Sequence, residues 1–409
     1  MRDSAFFGGT VVRATFVLAM FGWGVGFYGP PIYLAEIVAT HGWPLALVSA
    51  AVTVHFLAGV LVVARLPRLY ARFGLARVTA MGALLTALGV VAWSLVTAPW
   101  QLFGAALLSG AGWVALAAVA VNAIIARWYA RGRPAALSKA YNGASLGGVV
   151  FSPLWVALIG QWGFRAAALA VGAAMVLVVG LLAWRVFALT PQQLGQALDG
   201  AQPAQAAAAP PPAAAAMALR HDRRFITLAL SMALGLFAQI GLLAHLFKLA
   251  QQPLGAQAAG WLMGSATACA VAGRYLGTAA LARLPDRRLV AAGSYLAQAC
   301  GAALLAASGF ESVVLLCLGV WCFGAGIGNA TSLPPLIAQQ DFAAGDVARA
   351  VAAIVALSQA AYAFAPLVFG AVQLLPGGPA WLPLLALALQ LAAALLLWRG
   401  RALIVAART

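Results

Sequence analysis

Acidic side chains are the scarcest chemistry in this chain of 409 residues: 8 Asp and Glu stand against 24 Lys and Arg. They are Asp3, Glu36, Asp199, Asp222, Asp286, Glu311, Asp341 and Asp346. Each falls in a loop, in a low-complexity stretch or near the end of an apolar run. No carboxylate stands midway along one, so a buried cation would find no counter-charge there. Charged residues of both signs make up 8% of the chain, where a soluble domain carries about 25%. Cysteine is nearly as scarce. Cys269, Cys300, Cys317 and Cys322 lie inside apolar stretches without metal-ligand spacing, which reads as four small hydrophobes. No HExxH, GxSxG or Walker A loop occurs. Enzymatic turnover, a resident metal or cofactor, and nucleotide-driven pumping are therefore not expected.

Hydrophobic residues are plentiful, at 64%, with a mean hydropathy of +0.97. Apolar runs of bilayer-spanning length recur at 11–36, 44–66, 76–97, 100–127, 135–160, 164–188, 224–248, 256–282, 288–309, 312–338, 348–374 and 380–400. The expected fold is an all-α membrane protein of twelve transmembrane helices in two six-helix bundles. Residues 189–222 are rich in Ala, Pro and Gln and lack apolar periodicity, which reads as a linker. The expected domains are a first bundle over 1–188, the linker over 189–222 and a second bundle over 223–409. The first apolar run is too long for a signal-peptide core and leads straight into the next span.

The basic residues fall to one side. With the N-terminus inside, only Arg165 and Lys248 lie outside and Arg274 within the membrane; the rest flank cytoplasmic loops. A multi-pass protein of the cell (inner) membrane with both termini cytoplasmic is expected. The net charge of +16 then reflects insertion, and a nucleic-acid partner is excluded.

The two halves repeat. Ala64-Arg65-Leu66-Pro67 closes span two and Ala282-Arg283-Leu284-Pro285 closes span eight. Gly110-Ala111-Gly112 in span four answers Gly324-Ala325-Gly326 in span ten. Phe151-Ser152-Pro153 in span five answers Phe364-Ala365-Pro366 in span eleven. A parallel repeat of six helices points to two bundles related by an axis along the membrane normal.

Arg274 is the one charge deep in a span. A guanidinium at that depth costs at least about 2.5 kcal/mol on insertion scales and commonly faces a cavity or a partner helix. With no acid at comparable depth, the favoured ligand is an anion, gripped by the planar fork. The alternative is a tie between helices. His55, near the middle of span two, reads either as an in-membrane titrating group for proton coupling or as a neutral ring bonded to backbone. Tyr28 lies in Gly22-Trp23-Gly24-Val25-Gly26-Phe27-Tyr28-Gly29-Pro30-Pro31, whose glycines and prolines weaken span one. It is a cavity candidate. Asn142, Gln359 and Tyr362 are polar groups able to bond a substrate oxygen or a neighbouring helix. Lys139 reads as a surface lysine or an anion guide.

Three segments resemble the major facilitator superfamily. Arg72-Phe73-Gly74 with Arg77-Val78 is similar to its loop signature, with Ala71 where the signature has Asp. Trp128-Tyr129-Ala130-Arg131-Gly132-Arg133-Pro134, followed by Asn142-Gly143-Ala144-Ser145-Leu146-Gly147 and Gly163-Phe164-Arg165, resembles the monocarboxylate-transporter branch, which includes oxalate/formate antiporters. Gly273-Arg274 matches the position of that branch's carboxylate-binding arginine. Ala270 replaces the branch's acid four residues earlier, and span eleven has Gln359 and Tyr362 without the oxalate-type lysine. The resemblance implies a secondary transporter of a small organic, monocarboxylate-like anion, working by alternating access as a symporter or antiporter. Arg274, Tyr28, Asn142, His55, Gln359 and Tyr362 would form the substrate site. Arg72, Gly74, Arg77, Arg131 and Arg133 would serve gating loops. The implied partners are the anion, protons or a counter-anion, and the lipid bilayer, for a monomer. The competing readings are an efflux carrier for drug-like or other metabolites, which midplane acids would favour, and a non-transporting membrane sensor, which a terminal signalling domain would favour.

Overall fold

The computed structural model describes residues 6–198, 221–284, 286–330 and 332–406. Within them the regular structure is helical. Nine described helical stretches are long and apolar enough to cross a membrane: Gly8–His41, Leu45–Val63, Leu75–Ser94, Pro99–Ala126, Arg133–Phe187, Arg223–Leu254, Arg287–Ser308, Arg349–Val372 and Gly378–Arg401. Twelve spans follow from these. Gly163, at φ 77°, breaks the helical path of Arg133–Leu182, a conformation glycine adopts without the strain of a Cβ, and separates spans five and six. The shorter apolar Val313–Ile327 supplies span ten. Ala256–Arg283 supplies span eight; its alanines, glycines and Arg274 leave it less apolar than the others.

The chain divides into two compact units, residues 1–207 and 208–409. Most of the low-complexity stretch, 199–220, lies outside the described residues. The part that is described, 189–198, turns back on the first unit: the Phe7 N–H donates to Gln196 Oε1 at 2.9 Å.

Inside each unit the same spans pair. Span one packs on five, two on four, three on four, and three on six. In the second unit seven packs on eleven, eight on ten, nine on ten, and nine on twelve. Repeated glycines permit this. A Cβ on Gly110 would stand 1.9 Å from the His55 carbonyl oxygen, and one on Gly324 would stand 2.5 Å from that of Ala266. Spans four and ten therefore meet spans two and eight backbone to backbone, the close approach small residues allow in membranes. The breaks repeat as well. Span four pauses between Trp113 and Ala118, and span ten between Ile327 and Leu333.

They differ elsewhere. Span one breaks between Gly26 and Pro30, whereas span seven runs unbroken over Arg223–Leu254. Span eleven breaks at Phe364 before Pro366, whereas Pro153 leaves span five in one piece.

Candidate functional site

In the first unit the polar chemistry gathers where span one breaks. Pro30 has no N–H to give to the carbonyl four residues back, that of Gly26. Such a carbonyl buried in hydrocarbon must find another donor. His55 Nε2 meets the Gly26 oxygen at 2.9 Å. A carbonyl only accepts, so this ring nitrogen carries the proton. Nδ1 faces Ser109 Oγ at 2.9 Å, and the same hydroxyl receives Trp93 Nε1–H at 3.1 Å. Two neighbouring carbonyls are served likewise: Tyr33 O–H donates to Val25 O at 3.2 Å and Trp155 Nε1–H to Gly24 O at 3.3 Å. His55 is buried, its ring stacked on Trp113 at 5.6 Å. Tyr28 lies in the break itself, partly buried and edge-on to Phe27. The break thus brings Tyr28 and His55 to one region. Asn142 stands apart, beside Gly143, whose Cβ would meet the Phe16 carbonyl, well before the break.

The loop arginines lie at the surface. Arg72, Gly74, Arg77, Arg131, Arg133 and Lys139 are exposed. Arg72 rests over the Phe73 ring, and Gly74 takes φ 81° between the short helix Leu66–Phe73 and span three.

In the second unit Arg274 is partly buried on span eight. Its Nε donates to the Gly328 carbonyl at 3.1 Å, where span ten pauses. Asn329, the next residue and buried, donates from Nδ2 to the Gly273 carbonyl at 3.0 Å. The backbones touch in the turn that leads to the arginine. A Cβ on Gly273 would lie 1.8 Å from the Ala325 oxygen, and one on Gly328 1.9 Å from the Ala270 oxygen. Gln359 and Tyr362 stand on span eleven, both partly buried, Tyr362 against the apolar cluster of Leu228, Tyr295 and Ile354.

A feature of this unit that the sequence did not disclose is a buried ion pair. Arg288 Nη2 and Asp341 Oδ2 are 2.7 Å apart, both side chains sealed from solvent. Arg288 also donates to the Arg224 carbonyl and to Thr227 Oγ1, and Arg224 to the Asp341 carbonyl. In the sequence Arg288 looked like one more basic loop residue. Its pairing with Asp341, far along the chain, left no local pattern. The span-ten pause did leave one, since Gly328-Asn329 is followed by Pro334-Pro335.

Comparison with known proteins follows from this geometry. The family model of the Major Facilitator Superfamily matches residues 14–402. Among curated proteins, monocarboxylate transporter 13 of Bos taurus is 35% identical over 103 residues, which cover 25% of this chain and 24% of that protein. The match thus spans about a quarter of the relative's length. Similar solved structures include nucleoside transporter NupG (TM-score 0.71, 16% identity, 96% of this chain and 98% of that chain). A D-xylose–proton symporter is comparable (TM-score 0.71, 16% identity, 97% and 98%). So is a bacterial homolog of the human lysosomal transporter Spinster (TM-score 0.69, 15% identity, 100% and 98%). At such identities the likeness is one of fold.

Proposed function

The chain belongs to the Major Facilitator Superfamily, and from that membership we propose that it carries a small organic anion bearing a carboxylate by secondary transport. The observation that carries the reading is Arg274: a permanent cation on span eight, its guanidinium steadied at Nε by a backbone carbonyl. An arginine fork grips a carboxylate through two parallel charge-assisted hydrogen bonds. The quarter-length likeness to a monocarboxylate transporter supports the same ligand class. The acids bear on it too, because Asp222, Asp286, Asp341, Asp346 and Glu311 all stand at helix ends or in loops.

His55 takes a different part in this reading. With Nε2–H on Gly26 and Nδ1 on Ser109, the ring closes the span-one break, and a proton carried with the substrate travels on another group or on the anion itself.

The test is uptake of a panel of radiolabelled mono- and dicarboxylates into proteoliposomes, with the wild type beside Arg274→Lys and Arg274→Ala. The expected result is uptake of at least one monocarboxylate, weakened by Arg274→Lys and nearly abolished by Arg274→Ala. Losing a charge-assisted pair in a desolvated site costs about 2–5 kcal/mol. An Arg274→Ala protein that inserts normally and transports with unchanged affinity overturns the reading.

A further inference from the structure

The span-eight and span-ten backbones are in contact around Arg274, and the residues that make the contact are particular. Gly273 immediately precedes the arginine, and Ala270 lies one helical turn before it. Both face span ten so closely that neither Gly273 nor Gly328 has room for a Cβ. Span ten stops being helical at this point. Pro334 cannot donate to the Ala330 carbonyl, which lies four residues earlier, so the turn after Ile327 is weakened from below. Within the pause, the Gly328 carbonyl takes Arg274 Nε–H at 3.1 Å and Ser332 Oγ–H at 3.4 Å. Asn329 crosses in the opposite direction, from span ten to the Gly273 carbonyl. Its side chain also fills the space over Gly277, where a Cβ would meet Asn329 Oδ1 at 2.5 Å. Two bonds of opposite sense thus lock the pause to the turn of span eight that carries Arg274.

We propose that Asn329 is a positioning residue for Arg274: by pinning the pause to the Gly273 carbonyl it holds the Gly328 carbonyl where Arg274 Nε can donate, and so sets the angle at which the guanidinium meets the anion. This rests on the reading of Arg274 as the anion site. It adds that the site discriminates by geometry. A guanidinium held at Nε keeps one orientation, and a planar fork aimed one way suits a planar carboxylate. Without Asn329 the fork keeps its charge and loses its aim. The N–H of Asn329 has a purely local structural alternative, that of gluing two helices together. The two roles separate experimentally, because glue acts on stability whatever residue stands at 274.

The experiment compares wild type, Asn329→Ala and the near-isosteric Asn329→Leu in the Arg274 background and in the Arg274→Lys background. Lysine has no Nε–H to be held. Peptide-resolved labelling with phenylglyoxal reads the accessibility of Arg274 without any substrate. Uptake of radiolabelled propionate reads binding, and the melting temperature reads folding. The expected result is labelling of Arg274 changed about tenfold by Asn329→Ala, with Arg283 on the same helix unchanged. The apparent KM for propionate should rise about tenfold with kcat nearly preserved, and neither Asn329 variant should add to the loss in the Arg274→Lys background. If Asn329→Ala misfolds, Asn329→Leu keeps the volume and removes the amide with its donor. Unchanged Arg274 labelling in a folded Asn329→Leu protein, or equal losses in both backgrounds, overturns the positioning role. Altered labelling with no carboxylate transported by the wild type leaves the positioning intact and overturns the anion reading instead.

Discussion

His55 and Ala266 occupy the same place in the two repeats: the carbonyl of each lies against the paired glycine of spans four and ten, Gly110 and Gly324. The first half puts an imidazole there and the second half a methyl group. The difference follows from what each half has to satisfy. Span one breaks and frees the Gly26 carbonyl, and His55 answers it. Span seven is unbroken, and the buried ring of its half, His245, meets the Pro366 carbonyl just after the span-eleven break instead. About two turns after Ala266, Gly273 lets span ten press against span eight, and the residue beside it, Arg274, reaches the Gly328 carbonyl. One framework of helix pairings thus supports a closed clasp in one half and a cation steadied at its root in the other. The linker-side ends differ in the same spirit. The second half joins Arg288 and Asp341 in a buried pair, while between residues 4 and 198 the sequence contains no acid except Glu36.

The sharpest way to break the comparison is to open that buried pair. Replacing Asp341 by Ala leaves a buried guanidinium without its carboxylate, at a cost of about 3–5 kcal/mol. Arg288→Met combined with Asp341→Leu removes both charges and should recover most of it. Melting temperatures of the purified protein check this. A double variant as unstable as Asp341→Ala would show that the pair contributes more than its own neutralisation.

The clasp of the first half should matter less. His55→Leu leaves the Gly26 carbonyl buried without its donor, which costs about 1–3 kcal/mol. His55→Gln can keep an amide N–H for that carbonyl and should cost less than half as much. If glutamine proves as damaging as leucine, the bond to Gly26 is not what His55 is there for. If His55→Gln shifts the pH profile of transport, the ring titrates during turnover and the clasp reading is lost.

Much of this was legible before any coordinates. Hydropathy located the spans because lipid demands self-satisfied helices of fixed length. The pair Gly110/Gly324 disclosed the repeat because close backbone approach admits only small residues. Arg274 was conspicuous because a deep charge is costly. The sequence showed less of what those residues touch. Nothing local indicates that His55 would take up the carbonyl freed by Pro30, since the two lie on different spans. The pairing of Arg288 with Asp341 was hidden by the same gap, and by the many other loop arginines around it. The break in span one could be anticipated from its glycines and prolines. That its counterpart span seven has no break was equally readable, although Pro253 lies within the last turn of that helix without interrupting it.

The smallest effect concerns how the helices begin. Asp222 caps span seven, accepting the Arg224 N–H at 2.8 Å, and Asp286 caps span nine through the Arg288 and Leu289 N–H groups. Span one starts at Phe7 and span three at Gly74, neither with a side-chain cap. Acid-dependent stability should therefore reside in the second half. Burial raises the Asp222 carboxyl pKa, but the hydrogen bonds and charge of Arg224 outweigh it and hold the group below its usual value. A carboxyl whose pKa is depressed by folding adds stability above its unfolded pKa, and that stability is lost as pH falls through the folded one. For Asp222 the loss should set in below about pH 4 and amount to no more than about 1 kcal/mol, the usual worth of a helix cap, because the pair with Arg224 is partly exposed and screened. Hydrogen exchange of the amides in the first turn of span seven, followed as pH falls in wild type and Asp222→Ala, measures it once the intrinsic pH dependence of exchange is divided out. The wild type should lose protection toward the level of the variant, while the first turn of span one keeps the same protection throughout. Equal acid sensitivity at both helix starts would show that the caps do not separate the two halves.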